Sequence, residues 1–426
     1  MQSQFKCFIQ KSLPTFKIFF AQRNIVNFQS RLCFISAIPL LSEKYLIQQN
    51  KQKLASNNGL LILPRHLGRV YSTVQSDSSV HHADDYNQFM ATFPDIVRDL
   101  TLSPEYNDIP DITKRFRKNL EYNVVDGKKY RGLAVVNAYR ILSSSKLTSE
   151  NLKLANILGW CVEMLQAFYL VHDDIIDESK TRRGRPSWYL VENNGLNAIN
   201  DGVLLEVGIY VLLRKYFRNK PYYVDINDLF HDSIMKTTMG QILDSQISTY
   251  YQLHKKLDLF TMDRYHAITK YKTAYYTLHL PTAIAMYMVG ISSAERHKQA
   301  KDLLLQIGHY FQIQDDYLGC FADKKLLGKF EIDIQEGKCT WLIVAALERA
   351  NSSQRKKLEE CYGRNDPDKV QTVKNIYKEI GLPKIYATYE ENTYHSTVAQ
   401  IRLLPNDELP HDVFLNILNN LYKRKY

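Results

Sequence analysis

The feature that most constrains the fold is a helical pattern, broken only by short loops, that runs from about Tyr86 to the end of the 426-residue chain. Long stretches without Gly or Pro carry apolar residues three and four positions apart, as amphipathic helices do. No alternating apolar pattern of useful length predicts a strand. We therefore expect an all-α fold, with residues 86–426 forming a single large helical bundle.

Short segments rich in Gly, Pro or Asn divide this region into about ten predicted helices. These segments are 104–111, 184–186, 193–195, 219–225, 363–367 and 404–411. Residues 72–85 are polar and rich in Ser, His and Asp, which predicts a linker before the helical domain.

The positive charge of the chain is concentrated at its N-terminus. Residues 1–71 hold ten of the 55 Lys and Arg residues and one of the 45 acidic residues, so residues 72–426 are almost neutral. A basic leader that is poor in acids is typical of a mitochondrial transit peptide, and Arg69-Val70-Tyr71 before Ser72 resembles a processing site. A basic arm without a targeting role is the alternative. The near-neutral remainder gives no reason to expect a nucleic-acid partner.

Two further classes are disfavoured by the sequence. The longest apolar run of the leader, residues 32–41, is too short to cross a bilayer as a helix, and we expect no transmembrane segment. Cys161, Cys320, Cys339 and Cys361 are widely spaced and form no CxxC pair, which indicates reduced thiols rather than disulfides or a zinc site.

The sharpest chemical signal is the acidic segment 173–177, which follows an apolar helical stretch. Asp173 and Asp177 are four residues apart and share one face of a helix, so both carboxylates enter the same space. Mg²⁺ is commonly held by one or two carboxylates together with waters and substrate phosphate oxygens. Leu165 and Tyr169 fall on the same line, so the acids follow an apolar, aromatic wall. A solvated acidic helix end is the alternative.

Cationic and acidic residues elsewhere complete a predicted diphosphate site. Arg182 and Arg183 follow the acidic segment on a turn, and the planar guanidinium group matches phosphate oxygens. These arginines could instead only neutralise the aspartates. A second acidic pair, Asp315-Asp316, lies one helical turn after Phe311. Two such helices could face each other across a central cavity and hold several Mg²⁺ ions around one diphosphate.

These motifs together resemble the short-chain trans-isoprenyl diphosphate synthase family of the farnesyl diphosphate synthase type. The sequence DDIID (173–177) resembles the first aspartate-rich motif of that family. Further matching segments are GKKYRG (127–132), GQILD (240–244), KTA (272–274), FQIQDDYL (311–318), GK (328–329), KCTW (338–341) and the basic C-terminus. The resemblance covers about residues 86–426, with the motifs in the order of the family, and implies the isoprenoid synthase fold and a homodimer.

The resemblance also implies roles for individual residues. Asp173, Asp177 and Asp315 would bind Mg²⁺, about three ions per site, and Asp174 would belong to the catalytic set. The residues that would hold the allylic diphosphate are Arg182, Lys272, Thr273, Gln312, Lys329 and Lys338. The residues that would hold isopentenyl diphosphate are Lys128, Arg131, Gln166 and Arg183. Phe168 and Tyr169 would form the floor that limits the product to ten to fifteen carbons, although plain core packing is the alternative.

The implied reaction is head-to-tail condensation of an allylic diphosphate with isopentenyl diphosphate. Departures from the family pattern leave a second enzyme class open. The second motif carries Gly319 where the family usually has a third aspartate, and Asp126 replaces the first glycine of GGK. A diverged terpene synthase that converts farnesyl diphosphate to a hydrocarbon or alcohol would need only the ionising half of the site. A non-catalytic subunit is the remaining alternative.

Overall fold

The computed structural model describes residues 71–143, 147–322, 333–406 and 409–424, with side chains from residue 84 onward. Residues 1–70 of the predicted transit peptide and Lys329 lie outside these residues. The described helices are α1 (Tyr71–Thr101), α2 (Pro110–Asn123), α3 (Tyr130–Ser143), α4 (Ser149–Ile176), α5 (Ala198–Phe217), α6 (Tyr223–His254), α7 (Met262–Ile268), a π-helix (Thr269–His279), α8 (Leu280–Met288), α9 (Ala294–Phe321), α10 (Asp333–Glu336), α11 (Trp341–Arg349), α12 (Ser352–Cys361), α13 (Pro367–Glu379), α14 (Leu382–Leu403) and α15 (His411–Leu421). Short 3₁₀ turns span Pro104–Tyr106, Trp188–Asn193 and Gly195–Asn197.

The described chain is almost entirely helical, which confirms the all-α prediction. Its sheet is one small antiparallel hairpin of β1 (Thr181–Arg182) and β2 (Arg185–Pro186), which carries the arginines predicted to bind diphosphate. The predicted linker, residues 72–85, lies within α1 instead. Polar composition suggested a linker there, but neither Gly nor Pro interrupts the backbone before Pro94.

The long helix α4 is the centre of the main core. Its residues from Leu154 to Leu165 are buried without interruption, and α3, α5 and α1 pack around it. Close contact with α3 depends on glycine, because a Cβ atom at Gly159 would lie 2.6 Å from the carbonyl oxygen of Gly132. Thr148 caps the start of α4, because its side chain accepts a hydrogen bond from the Asn151 amide. Asp177 is the C-cap residue, and its amide donates to the Asp173 carbonyl oxygen. The acidic segment therefore sits on a rigid element.

A second hydrophobic core is formed mainly by the C-terminal helices. It joins α11, α13 and α14 to the ends of α6 and α9, around Trp341, Tyr362 and Tyr377. The four cysteines of the described chain, including buried Cys161 and Cys339, are free thiols, as the spacing predicted.

Two described helices have the length and apolar composition that a membrane span requires. One is α4. Because 78% of its most apolar window is buried inside the protein, its hydrophobicity is that of a core helix. The other covers Gly195–Phe217, and 44% of its most apolar window is buried.

Candidate active site

A cavity of about 660 Å³ opens where the end of α4 faces the π-helix and α9. Asp173 and Asp177 line it from α4, Lys272 and Thr273 from the π-helix, and Gln312 and Asp315 from α9. Further lining residues are Lys128, Arg182, Asp244, Asp316, Lys338 and Arg424. Both aspartate-rich segments therefore border the same space, as their positions on two helices predicted.

Two cations and one side-chain amide surround Asp173. Lys272 Nζ lies 3.5 Å from its Oδ1, Arg182 Nη2 lies 3.6 Å from its Oδ2, and Gln241 donates a hydrogen bond of 2.7 Å. Burial alone would raise the pKa of Asp173, but the charges of Lys272, Lys338 and Arg182 outweigh it and hold the pKa at about 2. Asp173 is therefore ionised throughout the physiological range.

Asp177 has the opposite electrostatic balance. Burial and the nearby charge of Asp173 raise its pKa, while Lys338 donates a hydrogen bond of 2.7 Å and opposes the shift. Two carboxylates one helical turn apart repel each other, so additional positive charge in the cavity would stabilise the pair.

Asp174 points away from the large cavity. It is buried, and its Oδ1 accepts hydrogen bonds from Nε and Nη2 of Arg182 at 3.0 and 2.5 Å. The guanidinium group is thereby fixed between Asp174 and Asp173. Asp174 thus positions Arg182.

The π-helix carries Lys272 and Thr273. Its wider hydrogen bonding is visible where the Leu280 amide donates to the Tyr275 carbonyl five residues earlier. Gly240 of α6 permits close packing here, since a Cβ atom would lie 2.1 Å from the Lys272 backbone nitrogen. Thr273 donates to Gln312 at 2.9 Å, which links the π-helix to α9.

Asp244 received no role from the sequence, yet it is central to the cation network. It is buried on α6, one turn after Gln241, and it accepts a hydrogen bond from Lys272 while Lys338 Nζ lies 3.9 Å away. Burial lowers the pKa of Lys272, but the charges of Asp244 and Asp173 raise it overall. The spacing of Gln241 and Asp244 on one helix face was the available signal.

The second aspartate-rich segment is divided between two environments. Asp315 faces the cavity and pairs with Arg424 of the C-terminal segment, whose guanidinium group lies 4.9 Å from the Phe311 ring centroid. Asp316 is buried and accepts hydrogen bonds from Tyr265, Gln312 and the Trp341 amide at 2.7–2.9 Å. Burial raises the pKa of Asp316 to about 8.

The residues predicted to bind isopentenyl diphosphate are only partly brought together. Lys128 lines the cavity, whereas Arg131, Gln166 and Arg183 are absent from its lining as far as the structure describes the chain. Arg131 donates hydrogen bonds of 3.1 Å to Tyr276 and Thr277. Arg183 donates to the backbone carbonyl oxygens of Asn123, at the end of α2, and of Asp126, in the loop before α3.

Phe168 and Tyr169 lie one turn deeper than Asp173 on α4. Their ring centroids are 4.7 Å apart, and the Tyr169 hydroxyl donates to the Ile234 carbonyl oxygen of α6 at 2.9 Å. Neither ring is among the described residues that line the cavity. Both pack against the main core.

The donor set fits magnesium. Asp173, Asp177 and Asp315 offer carboxylate oxygens to one polar space. Within the described residues no group of three or more His, Cys, Asp or Glu side chains forms a ready-made metal site. Mg²⁺ keeps several waters and is bound through few protein carboxylates, so the carboxylates that face this cavity are of the kind that it uses.

Comparison with known proteins decides the family. The family model described as polyprenyl synthetase matches residues 113–380. This chain belongs to the polyprenyl synthetase family. The farnesyl pyrophosphate synthase of Murgantia histrionica is 52% identical over 344 residues, which cover 80% of this chain and 83% of that protein. The farnesyl pyrophosphate synthase of Nezara viridula is 47% identical over 400 residues, 93% of this chain and 96% of that protein.

Solved structures agree with this assignment. A structure of T. brucei farnesyl diphosphate synthase complexed with risedronate superimposes with a TM-score of 0.73 at 32% identity, covering 80% of this chain and all of that chain. The predicted trans-isoprenyl diphosphate synthase resemblance and isoprenoid synthase fold are thus confirmed.

Proposed function

We propose that this chain is a prenyltransferase that condenses isopentenyl diphosphate with allylic diphosphates to give farnesyl diphosphate. The observation that carries the proposal is one cavity in which Asp173 and Asp177 face Lys272 and Lys338. Relatives named farnesyl pyrophosphate synthase, 44–52% identical to this chain, support the same reaction.

The side chains of the cavity act on the leaving diphosphate. Arg182, Lys272 and Lys338 would bind its oxygens and stabilise the negative charge that develops as the C–O bond breaks. Thr273 and Gln312, already hydrogen-bonded to each other, would orient it. Cleavage of the C–O bond leaves an allylic cation. The double bond of isopentenyl diphosphate then attacks this cation, and the proton that is lost passes to the departed diphosphate.

We propose Mg²⁺ as the metal, with about three ions per site held by Asp173, Asp177 and Asp315. When bound, Mg²⁺ supplies Lewis-acid stabilisation of the diphosphate leaving group. The buried aspartates, which are surrounded by lysines, support an anionic ligand with divalent cations in this cavity. Mg²⁺ can be titrated by calorimetry into the purified protein in the presence of a non-hydrolysable allylic bisphosphonate. The number of Mg²⁺ ions bound per chain should be near three, and a value of one would reject the count.

The full chain, assayed with Mg²⁺ and geranyl diphosphate, tests the activity itself. Farnesyl diphosphate should form only when isopentenyl diphosphate is added, and EDTA should abolish it. Asp173→Ala should lose nearly all turnover while keeping the helical circular dichroism spectrum of the wild type. Near-normal turnover of that variant would reject the role of Asp173.

The terpene synthase alternative is not favoured. The similar proteins named above are farnesyl pyrophosphate synthases, and Lys128 adds a further cation to the cavity that a second diphosphate could use. Volatile products from farnesyl diphosphate alone would restore that alternative, and inertness with every substrate would favour the non-catalytic one.

We also propose a homodimer formed through α5 and α6. Each helix carries exposed apolar residues about one turn apart: Val203 and Val207 on α5, and Met235, Met239 and Ile242 on α6, each 44–59% exposed. A second copy that buries both faces would remove this apolar surface from water. Light scattering should give a dimeric mass that Met239→Lys lowers to the monomer; a monomeric wild type would reject the proposal.

We propose mitochondrial import through residues 1–71, which rests on the basic, acid-poor composition of the leader. Incubation of the radiolabelled chain with isolated mitochondria should yield a protease-protected, shortened product. A variant with the leader arginines replaced by glutamine is the control, and equal protection of both would reject the targeting role.

A further inference from the structure

One buried cation, Lys129, organises the loop that joins α2 to α3. Lys129 Nζ is fully enclosed and donates to the carbonyl oxygens of Val124 and Asp126 at 2.5 and 2.7 Å. The same ammonium group lies 3.3 Å from Oε2 of buried Glu163 on α4. Burial lowers the pKa of Lys129, and the charge of Glu163 opposes that shift. The loop is therefore folded around an internal ion pair.

Glu163 connects this loop to the next helix. Its other oxygen, Oε1, accepts a hydrogen bond of 2.8 Å from the Gly132 amide in the first turn of α3. The Lys129 carbonyl oxygen accepts the Leu133 amide and so begins the same helix. One lysine and one glutamate thus fix the end of α2, the loop and the start of α3 relative to α4.

The residues predicted to hold isopentenyl diphosphate are attached to this framework. Lys128 directly precedes Lys129 but lines the cavity, because Lys129 adopts a left-handed backbone conformation with φ of 55°. Arg131 follows two positions later. Arg183 donates to the Asp126 carbonyl oxygen, the same atom that Lys129 binds.

Gly127 extends this relationship to Arg183. Its φ of 102° and its missing side chain let the guanidinium group lie against the loop, since a Cβ atom would stand 2.9 Å from Arg183 Cζ. A shift of the loop would therefore move Lys128 and Arg183 together.

We propose that the Lys129–Glu163 ion pair is the positioning device for isopentenyl diphosphate, because it sets the loop that carries or supports Lys128, Arg131 and Arg183. The proposal rests on the condensation activity proposed above. A buried ion pair often contributes little to stability compared with apolar residues of similar volume. Its presence in the core, next to Trp160, is better explained by the backbone groups that it orients.

Steady-state kinetics of the full chain separate positioning from folding. Lys129→Met and Glu163→Gln should each raise the KM for isopentenyl diphosphate at least tenfold while the KM for geranyl diphosphate stays within twofold. Lys129→Met with Glu163→Leu replaces both charges by apolar groups, so it should regain a wild-type Tm yet keep the raised KM. Lys129→Arg should retain most of the affinity.

The matched control is Arg140→Met, which breaks the ion pair between Arg140 and buried Asp85 at the other end of α3. It should lower Tm without changing the ratio of the two KM values. Wild-type KM for isopentenyl diphosphate in the double variant, or an equal rise of both KM values, would overturn the positioning role alone. A wild-type protein that does not couple isopentenyl diphosphate would overturn the proposed function and this inference with it.

Discussion

Lys338 donates a hydrogen bond of 2.7 Å to Asp177, which joins the end of the first aspartate-rich segment to a residue 161 positions later. The same ammonium group lies 3.9 Å from Asp244, and burial of the lysine is outweighed by these carboxylates, which raise its pKa. The lysine therefore enters the cavity fully charged and positioned, which is the condition for binding a diphosphate oxygen.

Replacement of Lys338 tests that role. Lys338→Met should lower kcat/KM for the allylic diphosphate about 100-fold, because a charge-assisted contact to the leaving group is lost; such a loss corresponds to about 2.7 kcal/mol of transition-state stabilisation. Lys338→Arg should recover a large part of it. An unchanged kcat/KM in the methionine variant, measured with saturating isopentenyl diphosphate, would contradict the assignment.

Contact between α6 and the π-helix should depend on Gly240. Gly240→Ala places a methyl group 2.1 Å from the Lys272 nitrogen, so the two helices must separate and Lys272 must move. We expect the free energy of unfolding in urea to fall by about 3 kcal/mol, with loss of activity. Gln246→Ala, exposed on the same helix, is the control; equal stability of the two variants would show that the backbone can relax.

His309 predicts a pH dependence of stability. Burial lowers its pKa to about 3, and its Nδ1 lies 2.7 Å from Oγ1 of Thr269, the first residue of the π-helix. The unfolded histidine has a pKa of about 6.5, so the unfolded chain binds an extra proton at intermediate pH. The stability that comes from burying neutral His309 is therefore fully present above pH 6.5, and it is lost as the pH falls towards 3.

Chemical denaturation between pH 6.5 and 4 measures this effect. His309→Asn should flatten the decline of the unfolding free energy by up to about 1.4 kcal/mol per pH unit, the limit for one proton. His395→Asn, on the exposed surface of α14, is the control. A slope that does not change in His309→Asn would assign the acid sensitivity to other groups.

Product length should respond to the ring of Phe168. It packs between Tyr169 and His172, with centroid distances of 4.7 and 4.8 Å, just behind the acidic segment. If this cluster limits the prenyl tail, Phe168→Ala should shift the products from fifteen carbons to twenty or more. Gas chromatography of the dephosphorylated products gives the answer, and Phe93→Ala is the control, because Phe93 belongs to the same core but packs against Trp160 with its ring plane tilted by 44°. Unchanged products would leave core packing as the role of Phe168.

The parts of the site that follow helical spacing could be predicted from the sequence. Asp173 and Asp177 share a face, and that face borders the cavity, because α4 is long, uninterrupted and anchored in the core. Asp315 could be placed across from them for the same reason. Helix ends that are not marked by Gly or Pro were harder to predict. For example, α6 ends at His254, and the next residue, Lys255, adopts a left-handed conformation although it is not glycine.

Side-chain direction was the other limit. Arg131 and Arg183 carry the charge that a diphosphate needs, yet both find hydrogen-bond partners within the protein. The role of Asp244 depends on its ion pairs with Lys272 and Lys338, which lie on other elements of the structure. Contacts between residues far apart in the chain set these orientations, and no local pattern encodes them.

The π-helix implies an unusual evolutionary constraint on residues 269–279. Downstream, α8 is held by a buried apolar face, and upstream, Lys272 must reach Asp244. Deleting one residue between Lys272 and Leu280 would disturb the wider hydrogen-bond register of this segment and change the position of Lys272 relative to α8. Related sequences should therefore vary in side chains here while conserving the length of the segment.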